Sequence, residues 1–186
     1  MLWAKCGEAW QSTSWNEAAK QVARLAEGLK RIGMKPGDRV ALVSENRPEW
    51  LIADLGIMAA GCVTVPTYTT NTTRDHTHVL VNSGARAAIV STRKLAQTLL
   101  PAIMDAPDCH QLIAMEELGS GQEADFVHVE QWSGLVGDGG DVAALTREVA
   151  KVGRDQLACL IYTSGTGGAP RGVMQHHGAI LHNVAG

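Results

Sequence analysis

The sequence predicts an α/β domain in which helices cover both faces of a parallel β-sheet. Segments with helical periodicity alternate with short apolar runs along most of the chain. Such alternation is typical of βαβ units, whose crossovers are right-handed. The chain has 186 residues, of which 45% are hydrophobic and 19% charged. A chain of this size and composition can bury a sizeable core.

The first predicted helix covers residues 15–32. Ser14 and Glu17 form a capping box, in which each side chain bonds to the backbone N–H group of the other residue. Gly33 supplies a stop signal at the other end. Between these signals, apolar residues recur at helical spacing, namely Val22, Leu25, Leu29 and Ile32.

The segments that follow repeat the order of strand and helix. A turn at residues 35–38 leads into a buried strand at 39–44, and Asn46 and Pro48 then begin a helix over residues 49–60. Later strands are predicted at residues 62–66, 87–91, 111–115 and 157–162, and later helices at residues 74–82, 93–104 and from 177 onward.

The segment from residue 103 to 150 differs from the rest in composition. It is rich in acidic residues, has a single basic residue, Arg147, and contains glycine clusters at 119–121 and 137–140. This composition favours a solvated surface excursion without chemistry.

Composition also narrows the class of protein. The formal net charge of −3 disfavours a nucleic-acid partner, which usually requires a basic face. The four cysteines lie far apart, which indicates reduced, mostly buried thiols of a cytoplasmic protein and no metal site. Residues 1–11 lack the pattern of a signal peptide, and the most apolar stretch, residues 51–66, is too short to span a bilayer. Peripheral membrane contact stays open.

A glycine-rich stretch follows the last predicted strand, in LIYTSGTGGAPRGVMQHH at residues 160–177. Its glycines allow positive φ, so that successive backbone N–H groups converge on an anion, while its hydroxyl groups donate and its arginine adds a bidentate cation. Polyphosphate is the natural ligand of such a loop. The predicted binding residues are Thr163, Ser164, Gly165, Thr166, Gly167, Gly168 and Arg171.

The familiar glycine motifs do not fit this stretch. A Walker A loop requires Lys and Ser or Thr after its last glycine, but Gly172 is followed by Val173 and Met174. A dinucleotide fingerprint requires G-x-G-x-x-G, whereas Pro170 stands at its final position. The alternative without function is a flexible glycine loop between two strands.

The stretch YTSGTGGAPRGV at residues 162–173 resembles the phosphate-binding signature of the AMP-forming adenylating enzymes, which include acyl-CoA synthetases, luciferases and peptide-synthetase adenylation domains. It departs from that pattern twice, because Gly167 replaces a usual threonine and Arg171 a usual lysine. Residues 35–72 and 82–92 are similar to the corresponding regions of long-chain fatty-acid–CoA ligases.

This resemblance implies that residues 1–186 are the N-terminal part of a truncated adenylation domain, the C-terminal domain being absent. The implied reaction joins a fatty acid to ATP with release of pyrophosphate, and coenzyme A then displaces AMP. The implied role of the glycine-rich stretch is to bind the β- and γ-phosphates. The ligand of Mg²⁺ and the catalytic lysine are expected after residue 186, so the chain itself carries no catalytic residue and is expected to be inactive.

Histidines are the remaining candidates. The resemblance places His177 near the acyl or adenylate pocket, and the alternative is an ordinary histidine at a helix start. His76 and His78 favour a surface pair over a metal site. Two other functions stay open, namely a nucleotide-binding module without catalysis and another AMP-forming synthetase, such as a medium-chain ligase or a domain that loads a carrier protein. The exposed sheet also predicts self-association, for example as a homodimer.

Overall fold

A mainly parallel sheet forms the centre of the structure, a computed structural model that describes residues 1–119, 127–137, 140–164 and 169–185. The strands are β1 (Leu2–Cys6), β2 (Ala9–Thr13), β3 (Arg39–Val43), β4 (Val63–Thr67), β5 (Ala85–Val90), β6 (Gln111–Ala114), β7 (His128–Gln131), β8 (Leu157–Thr163) and β9 (Arg171–His176). The central sheet has the order β7-β6-β5-β3-β4-β8-β9. Among the described residues of this sheet, β8 and β9 pair antiparallel and the other neighbouring strands pair parallel.

The five helices that the sequence predicts begin and end close to the predicted bounds, whereas the helices at residues 132–136 and 142–149 were not predicted. The capping box of Ser14 and Glu17 is formed, and a second one joins Thr72 and Asp75. The helices are α1 (Trp15–Arg31), α2 (Pro48–Ala59), α3 (Thr73–Ser83), α4 (Arg93–Met104), α5 (Trp132–Val136), α6 (Val142–Val149) and α7 (His177–Ala185).

The two faces of the sheet bury different helices. Alternate residues of β3 point to opposite faces, as the pleat of a strand requires. Val40 and Leu42 pack with α1, α2 and α5, whereas Ala41 and Val43 pack with α3 and α4. The predicted α/β fold, with helices on both faces of a mainly parallel sheet, is confirmed.

Strand β3 lies at the point where the chain changes direction across the sheet. After β3 the chain crosses by α2 to β4 on one side, and after β4 it crosses by α3 to β5 on the other side. In sheets of this kind, ligands bind beyond the carboxyl ends of the strands. The carboxyl edge is therefore where a functional site is expected.

The structure differs from the sequence-based predictions in three places. The hairpin of β1 and β2 was not predicted, because its residues are mostly exposed and lack an apolar alternation. Part of the acidic segment belongs to the core, since β7 extends the sheet and α5 buries Trp132, Leu135 and Val136. The surface-excursion prediction is wrong for these residues.

The third difference is the direction of β9. A short connection of residues 164–170 joins β8 to β9, so the two strands form a hairpin and not a crossover. Of the four cysteines, three are buried as predicted and Cys6 is exposed. Within the described ranges, no helix is long and apolar enough to cross a bilayer.

Candidate phosphate-binding hairpin

The predicted phosphate-binding residues lie at the carboxyl edge of the central sheet. They belong to the glycine-rich hairpin, which consists of β8, β9 and the connecting residues 164–170. Strand β8 runs parallel to β4, so its carboxyl end reaches the same edge as those of the other parallel strands. This is the edge at which α/β sheets bind ligands.

Thr163 and Arg171 form the last cross-strand pair before the connection. Both residues and the adjoining Ser164 are exposed. Along the described parts of the chain, no carboxylate forms an ion pair with Arg171. The arrangement presents two hydroxyl groups and a guanidinium, without an ion-pair partner among the described residues, at the carboxyl edge of the sheet. Four further predicted residues, Gly165, Thr166, Gly167 and Gly168, lie outside the described residues.

The crevice between β3 and β5 has the opposite electrostatic character. There the Ser91 hydroxyl donates a short hydrogen bond to the Glu45 carboxylate, which joins the ends of the two strands. Glu45 is exposed, and its negative charge repels a phosphate at this position. An anion therefore fits the hairpin better than the crevice where the chain changes direction.

Helix α3 holds the hairpin through two side chains that sequence reasoning did not identify as functional. The Tyr162 hydroxyl donates a 2.7 Å hydrogen bond to Asn82 Oδ1. His78 Nε2 lies 2.7 Å from the carbonyl oxygen of Pro170. His78 and Asn82 are four residues apart, on one face of the helix. The four-residue spacing is visible in the sequence, but the partner of His78 is 92 residues away and the partner of Asn82 is 80 residues away.

The two histidines of α3 do not form the predicted surface pair. His76 is only 1% exposed, and its Nδ1 lies 3.5 Å from Thr67 Oγ1. Burial lowers the pKa of His76, and the charge of Asp75 opposes this shift. His78 points instead to the hairpin. Among the described residues, no group of His, Cys, Asp and Glu is arranged to hold a metal ion.

Gly172 allows the hairpin to close over Tyr162. The two residues are cross-strand partners. A Cβ atom on Gly172 would lie 3.1 Å from Tyr162 Cζ and 3.3 Å from its Cε2. Glycine is thus the residue that permits the ring to lie against the backbone of β9, and burial raises the pKa of this tyrosine.

His177 lies at the other end of β9 from Arg171. A strand rises about 3.3 Å per residue, which separates the two residues by about 20 Å. The backbone N–H of His177 donates to the carbonyl of Gln156, at the start of β8. His176 caps the helix that follows, because its Nδ1 accepts a hydrogen bond from the Ala179 N–H group. The structure therefore does not bring His177 to the hairpin connection.

His177 lines an apolar cavity of about 620 Å³ between α1, α2, α6 and α7. Burial lowers the pKa of its imidazole. Among the lining residues that the structure describes, Arg154 alone has a permanently charged side chain. A cavity of this volume and composition is of the size that takes a small apolar ligand. The remaining lining is aliphatic or aromatic in the main, with Trp15, Val22, Leu51, Leu55, Leu145 and Leu181 among its residues.

Comparison with known proteins shows relatives along nearly the whole chain. The chain is 34% identical over 177 residues to the long-chain-fatty-acid–CoA ligase FadD15 of Mycobacterium tuberculosis, covering 95% of this chain and 28% of the relative. It is 30% identical to the peroxisomal long chain acyl-CoA synthetase 7 of Arabidopsis thaliana, covering 93% of this chain and 25% of that protein. The chain thus spans about a quarter of the length of these relatives.

The fold of the chain is also similar to the folds of solved structures. The structure superposes on a benzoate CoA ligase from Burkholderia xenovorans with a TM-score of 0.74 and 26% identity, covering 94% of this chain and 31% of that one. Acetoacetyl-CoA synthetase from Streptomyces lividans has the same fold, with a TM-score of 0.79 and 24% identity over 94% of this chain and 27% of that one. The model of the family described as AMP-binding enzyme matches residues 2–186. The chain belongs to the AMP-binding enzyme family.

Proposed function

We propose that this chain is the N-terminal portion of a long-chain fatty-acid–CoA ligase. The ligase joins a fatty acid to the α-phosphate of ATP with release of pyrophosphate, and the thiol of coenzyme A then displaces AMP to form the acyl thioester. The observation that carries the proposal is the pairing of Thr163 with Arg171 at the carboxyl edge of the sheet, beside the glycine-rich connection. The long-chain relatives support the substrate class.

The hairpin binds the β- and γ-phosphates in this proposal. Negative charge grows on the pyrophosphate as it departs, and preorganised donors stabilise such charge strongly. Thr163 and Ser164 donate hydroxyl groups, and Arg171 supplies a permanent positive charge. The other members of the proposed site are Gly165, Thr166, Gly167 and Gly168. Mg²⁺ enters with ATP, and its protein ligand belongs to a part of the ligase beyond this chain.

His177 has a separate role in the proposal. The separation of about 20 Å between the backbones of His177 and Arg171 favours separate contacts for the two residues. The place of His177 in the lining of the apolar cavity supports a contact with the acyl chain. The proposed site therefore has a polar part at the hairpin and an apolar part between the helices.

An exchange assay tests the reaction. The full-length ligase that carries this chain is incubated with ATP, labelled pyrophosphate and palmitate, and the label that returns to ATP is measured. The expected result is exchange that depends on palmitate, followed by palmitoyl-CoA when coenzyme A is added. Arg171→Ala is expected to slow the exchange. Lack of exchange with palmitate, octanoate and benzoate would contradict a ligase function, whereas exchange with octanoate or benzoate alone would correct the substrate class.

A further inference from the structure

We propose that His78 is a positioning residue that fixes the two strands of the glycine-rich hairpin to helix α3, and thereby sets the relative placement of Thr163 and Arg171. The consequence for phosphate binding rests on the proposed function. The contacts themselves do not.

One side chain contacts the end of β8 and the residue that directly precedes β9. His78 Nε2 lies 2.7 Å from the Pro170 carbonyl oxygen. Because a carbonyl only accepts hydrogen bonds, Nε2 carries the proton and donates it. The same imidazole meets the Tyr162 ring edge to face, with ring centres 6.2 Å apart and an angle of 87° between the planes.

Both contacted residues adjoin a proposed phosphate ligand. Pro170 precedes Arg171, and Tyr162 precedes Thr163. The Pro170 carbonyl and the Arg171 N–H belong to one planar peptide group, so fixing the oxygen also fixes the direction of that N–H. His78 therefore controls the peptide plane from which the Arg171 side chain begins.

The hairpin gains from such a contact because β9 is an edge strand of the sheet that the described residues form. Among those residues, β9 pairs with β8 on one side and with no strand on its other side. Edge strands open locally at a lower free energy than central strands. Asn82 adds a second attachment through the Tyr162 hydroxyl, so that α3 is bonded both to β8 and to the residue that precedes β9.

Amide hydrogen exchange on the 186-residue chain tests the contact. In His78→Leu, the exchange rates of the Thr163, Arg171 and Gly172 amides are expected to rise about tenfold. His78→Gln retains a donor and is expected to restore much of the protection. Val81→Ala is the matched control, because Val81 lies on the same helix and is 50% exposed. Unchanged exchange in His78→Leu would overturn the proposal.

A second variant covers the case in which His78→Leu fails to fold. His78→Phe keeps an aromatic ring against Tyr162 but removes the donor to Pro170. It is expected to accelerate exchange at Arg171 and Gly172 more than at Thr163. Equal protection of all three amides in this variant and in the wild type would show that the Pro170 hydrogen bond does not hold β9.

A double-mutant cycle separates positioning from general stability. The affinity for inorganic tripolyphosphate is measured for the wild type, His78→Leu, Arg171→Ala and the double variant. If His78 acts through Arg171, its replacement weakens binding about fivefold in the wild-type background and much less when Arg171 is absent. Additive losses would overturn the positioning role. Failure of the wild type to bind tripolyphosphate would count against the proposed function, and the exchange rates would still decide whether His78 holds the hairpin.

Discussion

Gly172 and Tyr162 face each other across the glycine-rich hairpin, at a distance at which a side chain on the glycine would crowd the tyrosine ring. A Cβ atom there would lie 3.1 Å from Tyr162 Cζ. The ring has little freedom to retreat, because its hydroxyl is bonded to Asn82 and the ring packs against the His78 imidazole at nearly a right angle. Gly172 of the glycine-rich stretch is therefore needed for packing against Tyr162, in addition to the phosphate binding proposed for the stretch.

Gly172→Ala is expected to destabilise the chain by about 1–3 kcal/mol, because the added methyl group displaces Tyr162 from a closely packed position. Urea unfolding measures this change as a lower midpoint. Gly134→Ala is the control, since no atom lies within 4 Å of a Cβ atom at that helical position. Equal midpoints for Gly172→Ala and the wild type would show that the ring moves without cost.

Arg171→Ala is expected to weaken binding of inorganic tripolyphosphate about tenfold or more, because a charged, bidentate donor is lost. Arg171→Lys is expected to keep a larger part of the affinity, since the charge remains while the planar fork is lost. Isothermal titration calorimetry measures both constants. Arg147→Ala, on the exposed face of α6, is the control for net charge. Equal losses in Arg171→Ala and Arg147→Ala would point to an unspecific charge effect.

His177→Ala is expected to leave tripolyphosphate binding within about twofold of the wild type, because separated sites act independently. The same variant is expected to change binding of the fluorescent fatty acid cis-parinaric acid to the apolar cavity. Leu181→Trp should reduce that binding further by filling the cavity. Parallel losses of tripolyphosphate and fatty-acid binding in His177→Ala would show that the two sites are coupled.

Much of the fold could be predicted because the elements carry local signals. The capping box of Ser14 and Glu17 defined the start of α1, and short apolar runs defined β3 and β5. These signals depend on neighbouring residues only. The hairpin of β1 and β2 lacks them, and the burial of Trp132 depends on α1, which is distant in sequence.

The candidate site could be predicted only in part. The glycine-rich stretch was visible because its residue types lie together in the chain. His78 was not, since its role depends on a carbonyl 92 residues away and on the hairpin turn that brings β9 back along β8. His177 was grouped with the site by resemblance, but the length of β9 separates it from Arg171. The distance between Arg171 and His177 depends on the extended conformation of β9 between them, which the sequence alone did not reveal.

Buried His76 provides a test by pH. Burial lowers its pKa below the ordinary value of 6.5, so the native protein holds it neutral while the unfolded chain takes up a proton near that value. The unfolded state then binds more protons, and the stability that is present above pH 6.5 is lost as the pH falls below it. His76→Leu is expected to remove this part of the pH dependence. The substitution also removes the buried His76 Nε2, which has no hydrogen-bond partner among the described residues.

Urea unfolding between pH 8 and 5 measures the difference in unfolding free energy between the wild type and His76→Leu. Contributions of the other histidines are common to both proteins and cancel. The variant is expected to become more stable relative to the wild type as the pH falls. Below pH 6.5 only the wild type loses unfolding free energy, because its native state keeps the His76 imidazole neutral. His182→Leu, at an exposed position of α7, should follow the wild type. A difference that stays constant across this range would mean that His76 is protonated equally in the native and unfolded states, and hence that its burial does not govern its titration.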